Sequence, residues 1–203
     1  MQAEKEHESI RIFENNILES LTHVHPIVPL IFWSPIAAYL LWRSFGVLDL
    51  SLGGIALSGL AAVIVWTLTE YVLHRYAFHF PATSKVGKWL VFLFHGNHHH
   101  DPKDKTRLVF PPGGSIPIMI GLYYLFTLVV PAAWIEPFMA FFIISYLTYD
   151  YIHYAVHHFP MKSPAAKFLK HYHLKHHYAG EEGRYGVSSP LWDYVFGTTG
   201  SAN

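Results

Sequence analysis

Cysteine is absent from the 203-residue chain. That excludes disulfides, thiolate-bound metals and cysteine-held iron–sulfur clusters, and leaves His, Asp and Glu as the strong ligands. Charge is scarce as well: charged residues make up 14% of the chain and hydrophobic residues 52%. Soluble domains carry about 25% charged residues, and the uncharged runs here are long enough to read as membrane-embedded. Lys plus Arg equals Asp plus Glu at 14 each. With no basic excess, no nucleic-acid partner is expected. The first 25 residues are polar and acidic and do not read as a cleavable signal peptide.

Histidine is what the chain has in excess. Thirteen of its 16 histidines fall in four groups: HRYAFH (His74, His79), HGNHHH (His95, His98, His99, His100), HYAVHH (His153, His157, His158) and HYHLKHH (His171, His173, His176, His177). Around them the chain reads as an interfacial segment, 1–26, followed by one membrane domain, 27–203. Within the first segment, residues 8–24 space Ile10, Phe13, Ile17 and Leu21 as an amphipathic helix. Apolar stretches follow at 27–42, 50–73, 115–135 and 137–154, the last two joined by a tight turn near Pro131 and Pro137. An apolar hairpin, a spaced His pair and an HxxHH triplet occur in that order twice.

Lys5 and Arg11 lie before the first apolar stretch, six further cations between His74 and Gly114, and five after His158; Arg43 alone falls on the other side. The positive-inside rule therefore puts both termini and the central loop in the cytoplasm. The expected fold is all-α, an integral membrane bundle of four transmembrane helices with a cytoplasmic His-rich helical cap, in a bacterial inner membrane or the endoplasmic reticulum. All four histidine groups then face one compartment. Two Pro- and Gly-rich loops, 101–114 and 180–192, read as access loops, with Gly183 and Gly186 as hinges.

Residues three and four apart share a helix face. His153 and His157 meet that condition, as do His173, His176 and His177, and His95, His98 and His99 if their segment is helical. His74 and His79 lie roughly 140° apart on a regular helix, so they share an ion only where the helix ends, unwinds or bulges. Neutral imidazole suits iron, copper and zinc. One ion takes about four to six ligands, so clusters this large call for two ions. Glu70, four residues before His74, and Asp150, three before His153, are placed to fix ring tautomers from behind.

The flanking sequence narrows this further. EYVLHRYAFH (70–79), FHGNHHHDPKDKTRLVFPP (94–112), YDYIHYAVHH (149–158) and KHHYAGEEGRYGVSSPLWDYVFGT (175–198) resemble the membrane fatty acid hydroxylase superfamily, specifically its fatty acid 2-hydroxylase branch. The resemblance covers about residues 50–200. It implies ten ligands to two iron ions: His74, His79, His95, His98, His99, His153, His157, His173, His176 and His177. Zinc can take the place of iron in purified protein, because imidazole sites accept both and zinc binds more strongly in the divalent series.

The implied reaction uses O2 to hydroxylate carbon 2 of a long fatty acid or fatty acyl lipid, with Arg107 and Tyr185 as candidate head-group contacts. Many members carry a cytochrome b-type haem domain that this sequence does not show, so a separate electron-donor protein is expected. Other readings stay open: a desaturase or a sterol or carotenoid oxidase on the same scaffold, a bis-histidine haem protein, or a non-catalytic metal transporter. Transporters hold their ligands near the bilayer midplane, whereas these gather at one surface.

Overall fold

The computed structural model describes residues 9–179 and 182–200. Lys5, the opening of the 1–26 segment and Gly180–Glu181 of the last motif lie outside the described residues. Every regular element among the described residues is helical.

The first helix, α1, covers Asn16–Thr22 only, short of the 8–24 helix that the periodicity predicts. The difference has a local cause. Asn15 caps the helix by accepting from the Ile17 and Leu18 amides, and Glu19 draws the Ile12 and Phe13 amides back onto its carboxylate at 3.0 and 2.8 Å. Residues before Asn15 are thereby folded over α1 instead of extending it.

Helix α2 (Val28–Gly46) contains Pro35. Helix α3 (Leu52–Val72) starts at a Ser51 cap and runs into a π-helical turn, Leu73–Phe78. Next come α4 (Lys85–Val91), a second π-turn (Phe92–Gly96) and the short α5 (Asn97–His100). The second apolar pair is α6 (Pro112–Thr127) and α7 (Ile135–His158), linked by the 3-10 turn Ala132–Trp134. Pro137 lies within the first turn of α7, so the connecting turn is confined to 128–134. Helices α8 (Pro164–Tyr178) and α9 (Leu191–Phe196) close the chain.

Two helical stretches are long and apolar enough to cross a membrane, Leu52–Phe78 and Ala132–His158. Helix α6 has 16 residues, about 24 Å at 1.5 Å per residue, against a hydrocarbon core of about 30 Å. Leu52, Leu57, Leu60, Val63 and Ile64 leave much of the α3 surface apolar and uncovered, as a lipid-facing helix would.

Helix α7 packs along both α2 and α3 and supplies most of the core. Trp66 on α3 meets Phe142, Tyr146 and Tyr149 at ring-centroid distances of 5.1, 5.6 and 5.5 Å. Phe126 brings α6 onto the same cluster through Phe142, at 5.0 Å. The helices approach closely because Gly59 leaves room for Phe141: a Cβ there would stand 3.0 Å from that ring. Away from the histidines, Arg43 donates from Nε and Nη2 to Glu136 at 2.7 and 2.8 Å and ties α2 to α7. Phe142 is fully buried, so Phe142→Ala should lower the stability of the detergent-solubilised protein by about 3–5 kcal/mol, read as a lower thermal midpoint.

Candidate metal centre

The ten histidines named by the resemblance converge into two groups of five. One holds His74, His79, His95, His99 and His176; the other holds His98, His153, His157, His173 and His177. Within each group the candidate ligand atoms all lie within 4.8 Å of one another, so each can hold a metal ion. The groups abut, with the His99 and His177 rings stacked at 4.1 Å.

The π-turns explain how His74 and His79 share a group. An i→i+5 hydrogen bond, His79 N–H to His74 C=O at 3.1 Å, closes the turn after α3 and brings residues five apart onto one side. The second π-turn places His95, and its freed carbonyls need donors. Asn97 supplies them, its side-chain amide donating to Phe92 O at 3.0 Å and Leu93 O at 2.7 Å.

Each HxxHH triplet is divided between the groups. His95 and His99 enter the first and His98 the second; His176 enters the first and His173 and His177 the second. Both lobes of the duplication therefore contribute to both groups. His100 and His171 stay exposed, and half-buried His158 packs on Tyr154 with ring centroids at 4.6 Å.

The contacts inside the groups test whether metal fits. In the first, His95 Nε2 lies 3.0 Å from Nε2 of both His74 and His99, and His79 Nε2 lies 3.1 Å from that of His176. In the second, His98 Nε2 lies 3.0 Å from that of His153 and 3.1 Å from that of His177. His173 Nε2 meets those of His157 and His177 at 2.9 and 3.0 Å. A neutral ring nitrogen carries either one hydrogen or one lone pair, so His95, His98, His173 and His177 cannot hydrogen-bond both of their neighbours. Two nitrogens each about 2.1 Å from a common ion stand about 3.0 Å apart at a right angle and about 3.4 Å apart at a tetrahedral one. The observed spacing lies in the range that two ligands of one ion would take, so both groups fit a metal.

Backbone carbonyls set two of the ring tautomers. His74 Nδ1 donates to Tyr185 O at 2.6 Å and His176 Nδ1 to Gly183 O at 2.7 Å. In a neutral ring this leaves the Nε2 lone pair facing inward. Burial lowers the pKa of His79 and His176 to about 4 and of His99 to about 3, with neighbouring positive charge adding to the effect. His95, His98, His173 and His177 are pushed the same way by burial and by each other. Neutral imidazoles are what a cation requires.

Two of the sequence expectations need correction. Glu70 and Asp150 bind backbone in place of rings. Glu70 accepts from the Val187 and Ser188 amides at 2.6 and 2.8 Å and from the Ser188 hydroxyl, pinning the loop that carries Tyr185. Asp150 accepts from Phe110 N–H at 3.1 Å, and its other oxygen is buried without a hydrogen bond. Arg107 directs its guanidinium to Glu19, Thr22, Ser9, His23 and the Ile10 carbonyl, which latches the N-terminal segment across the 101–111 loop. The Tyr185 ring packs on His74, His79 and His176.

Within the 180–192 stretch, residues 183–187 do not form the hinged loop expected. Residues 183–187 are buried, and Asp193 holds the loop by accepting from the Tyr185 and Gly186 amides at 2.9 and 2.8 Å. Gly183 has φ +143°, and a Cβ there would stand 2.6 Å from Thr198 O. Asp193 was overlooked in the sequence; an acid inside the apolar run LWDYVF was the available signal.

A cavity of about 670 Å3 opens beside the centre. His95 from one group and His98 and His153 from the other line it, with Glu70, Tyr149 and Asp150. It descends between α3, α6 and α7 past Trp66, Tyr146, Ser115 and Met119, and toward the surface it is roofed by α1 and residues 107–114. Its walls are largely apolar.

A model of the fatty acid hydroxylase family matches residues 59–198. The dihydroceramide fatty acyl 2-hydroxylase FAH2 of Arabidopsis thaliana is 38% identical over 192 residues, 94% of this chain and 80% of the relative. The ceramide very long chain fatty acid hydroxylase SCS7 of Saccharomyces cerevisiae is 37% identical over 196 residues, 90% of this chain and 48% of that protein. A solved structure described as full-length scs7p, with only the hydroxylase domain visible, superposes with TM-score 0.83 at 35% identity. It covers 90% of this chain and 69% of the other.

Two outcomes follow from this geometry. The buried rings stay neutral when folded, while unfolded histidine takes up a proton below about 6.5. Between there and the folded pKa of about 4 of His79 and His176, the unfolded chain binds more protons, so stability falls as pH falls. Chelator-treated protein should show a thermal midpoint that drops steadily from about pH 7 to pH 5, and metal-loaded protein a flatter curve. Gly183→Ala should displace the carbonyl that orients His176 and cut bound metal per chain by about half, measured by elemental analysis.

Proposed function

The chain belongs to the fatty acid hydroxylase family, and on that premise we propose that it is a two-metal membrane oxygenase that hydroxylates carbon 2 of a long acyl chain. The observation that carries the reading is the apolar cavity whose wall includes histidines of both five-membered groups. An acyl chain lying in it has its reacting carbon beside both groups at once.

In this reading all ten histidines serve as ligands, five to each ion. Iron, when bound there, supplies the O2 chemistry that breaks a C–H bond and delivers hydroxyl. The protein does the rest. Tyr185 O and Gly183 O hold His74 and His176 with their Nε2 lone pairs inward. Glu70 and Asp193 fix the loop that carries those carbonyls. Trp66, Tyr146 and Tyr149 grip the chain and exclude water from the reacting carbon. The roof of α1, latched by Arg107, closes the cavity on the side of the acyl head.

The membrane arrangement belongs to the same proposal. Helices α3 and α7 span, α2 and α6 accompany them, and the metal end faces the cytoplasm with both termini. The substrate arrives from the bilayer as a fatty acid or an acyl lipid such as a ceramide, in line with the relatives named above. The two electrons come from a separate donor protein. Both histidine groups gather at one end of α3 and α7, which disfavours a transporter carrying ligands at mid-membrane.

Expression in a host that lacks hydroxylated lipids, followed by lipid mass spectrometry, tests the reading. The expected product is a 2-hydroxy acyl chain that disappears with His173→Ala. Hydroxylation at mid-chain, or a double bond in its place, would refute the assignment.

A further inference from the structure

A second apolar space lies on the far side of the substrate cavity's floor. It is a groove of about 490 Å3 between α2, α6 and α7, lined by Trp33, Ile36, Ile120, Tyr124 and Met139, with Arg43 and Glu136 also in its wall. Ile120, Tyr124 and Ile36 are exposed, so the groove opens sideways to whatever surrounds the bundle. Met119 belongs to the walls of both spaces. It is 7% exposed and sits in the core cluster.

Two contacts complete the partition. Trp33, on the groove side, donates from Nε1 to the Ser115 hydroxyl on the cavity side at 3.1 Å. The same indole meets the Tyr146 ring edge-on, with centroids 6.2 Å apart. These groups are braced by a hydrogen bond and ring packing. Met119 has only dispersion contacts to hold it, and an unbranched thioether with three rotatable bonds re-packs at low cost.

We propose that Met119 is the length gate for the acyl tail: short tails end against it, and very long tails push it aside and continue into the groove between α2, α6 and α7. This rests on the acyl-hydroxylase reading for the identity of the occupant. Direction comes from the cavity, whose wall passes from His153 through Tyr149 and Tyr146 along α7 and reaches Met119 on α6. A tail with its second carbon at the histidines therefore points at Met119. The groove suits the end of a long tail because its walls are apolar and its open side meets lipid, so a methylene chain there stays out of water.

The test measures chain-length preference in two ways, as the ratio of 2-hydroxylated lignoceroyl to palmitoyl product in cells, and as the relative affinity of purified protein for lignoceric and palmitic acids in a competition assay. Met119→Ala joins the two spaces and should raise both ratios roughly tenfold, the scale on which apolar pockets discriminate chain length. Met119→Leu keeps the volume and should give the parent's ratios. Ile120→Trp fills the groove from its exposed wall and should lower both ratios.

A folded Met119→Ala protein with the parent's ratios would overturn the gate. Should that variant fail to fold, unchanged ratios in Ile120→Trp would overturn it instead. If even the parent makes no hydroxylated product, the oxygenase reading fails, and the binding ratios still decide for or against the gate.

Discussion

Ten imidazole rings whose inward nitrogens crowd to about 3 Å cannot hold themselves together. Each Nε2 that faces another lone pair is repelled by it, and burial denies it water. The protein must impose this crowding before any cation can offset it. The rest of the structure reads as the means of doing so. Helices α3 and α7 deliver histidines at their ends, π-turns rotate two of the segments, and buried loop carbonyls pin His74 and His176 from behind. A cation held there would offset the crowding and link the fold's stability to its own binding.

The buried acids serve that imposition. Burying a carboxylate costs several kcal/mol unless donors surround it. Glu70 meets two amides and a hydroxyl from residues 187 and 188, and Asp193 meets two amides and the Thr198 hydroxyl. Each recovers its desolvation cost by organising a loop. The loop in turn presents two carbonyls to two rings, so a carboxylate on α3 orients a histidine of the π-turn that follows it through a segment more than a hundred residues away in sequence. Asp150 is the exception, with one oxygen on the Phe110 amide and the other left in the cavity wall.

Much of this was legible in the sequence. Apolar stretches at 50–73 and 137–154 became the two long helices, and the four histidine groups came together on one side. Spacing rules worked at His153 and His157, on the regular helix α7. At His74 and His79 spacing could pose the problem but not resolve it, because a π-turn is selected by the fit of its rings into a shared group. Asn97, sitting inside the HGNHHH run, was the local trace of the second π-turn.

The division of each triplet between groups was not legible either, since three histidines on one face look equivalent until a partner lobe takes one of them. Gly183 and Gly186 looked like hinges because glycine permits motion. Here glycine serves close approach, with backbone oxygens of Thr198 and Ser189 where side chains would be.

In the proposed reading, placing the rings at helix ends also sets where a substrate would lie. Mid-helix ligands would fill the space between α3 and α7, and the cavity could not descend past Trp66. With the ligands gathered at the ends, the same helices provide apolar walls below and imidazole above. A long apolar molecule can then be held along most of its length while one carbon near its polar end stays beside the histidines. Binding along the tail and positioning at the head are thus separate in space, and the tail's contribution can be spent on placing that carbon. The α1 roof completes the enclosure from the aqueous side, where Arg107 joins five groups of the N-terminal segment to the loop that lines the cavity.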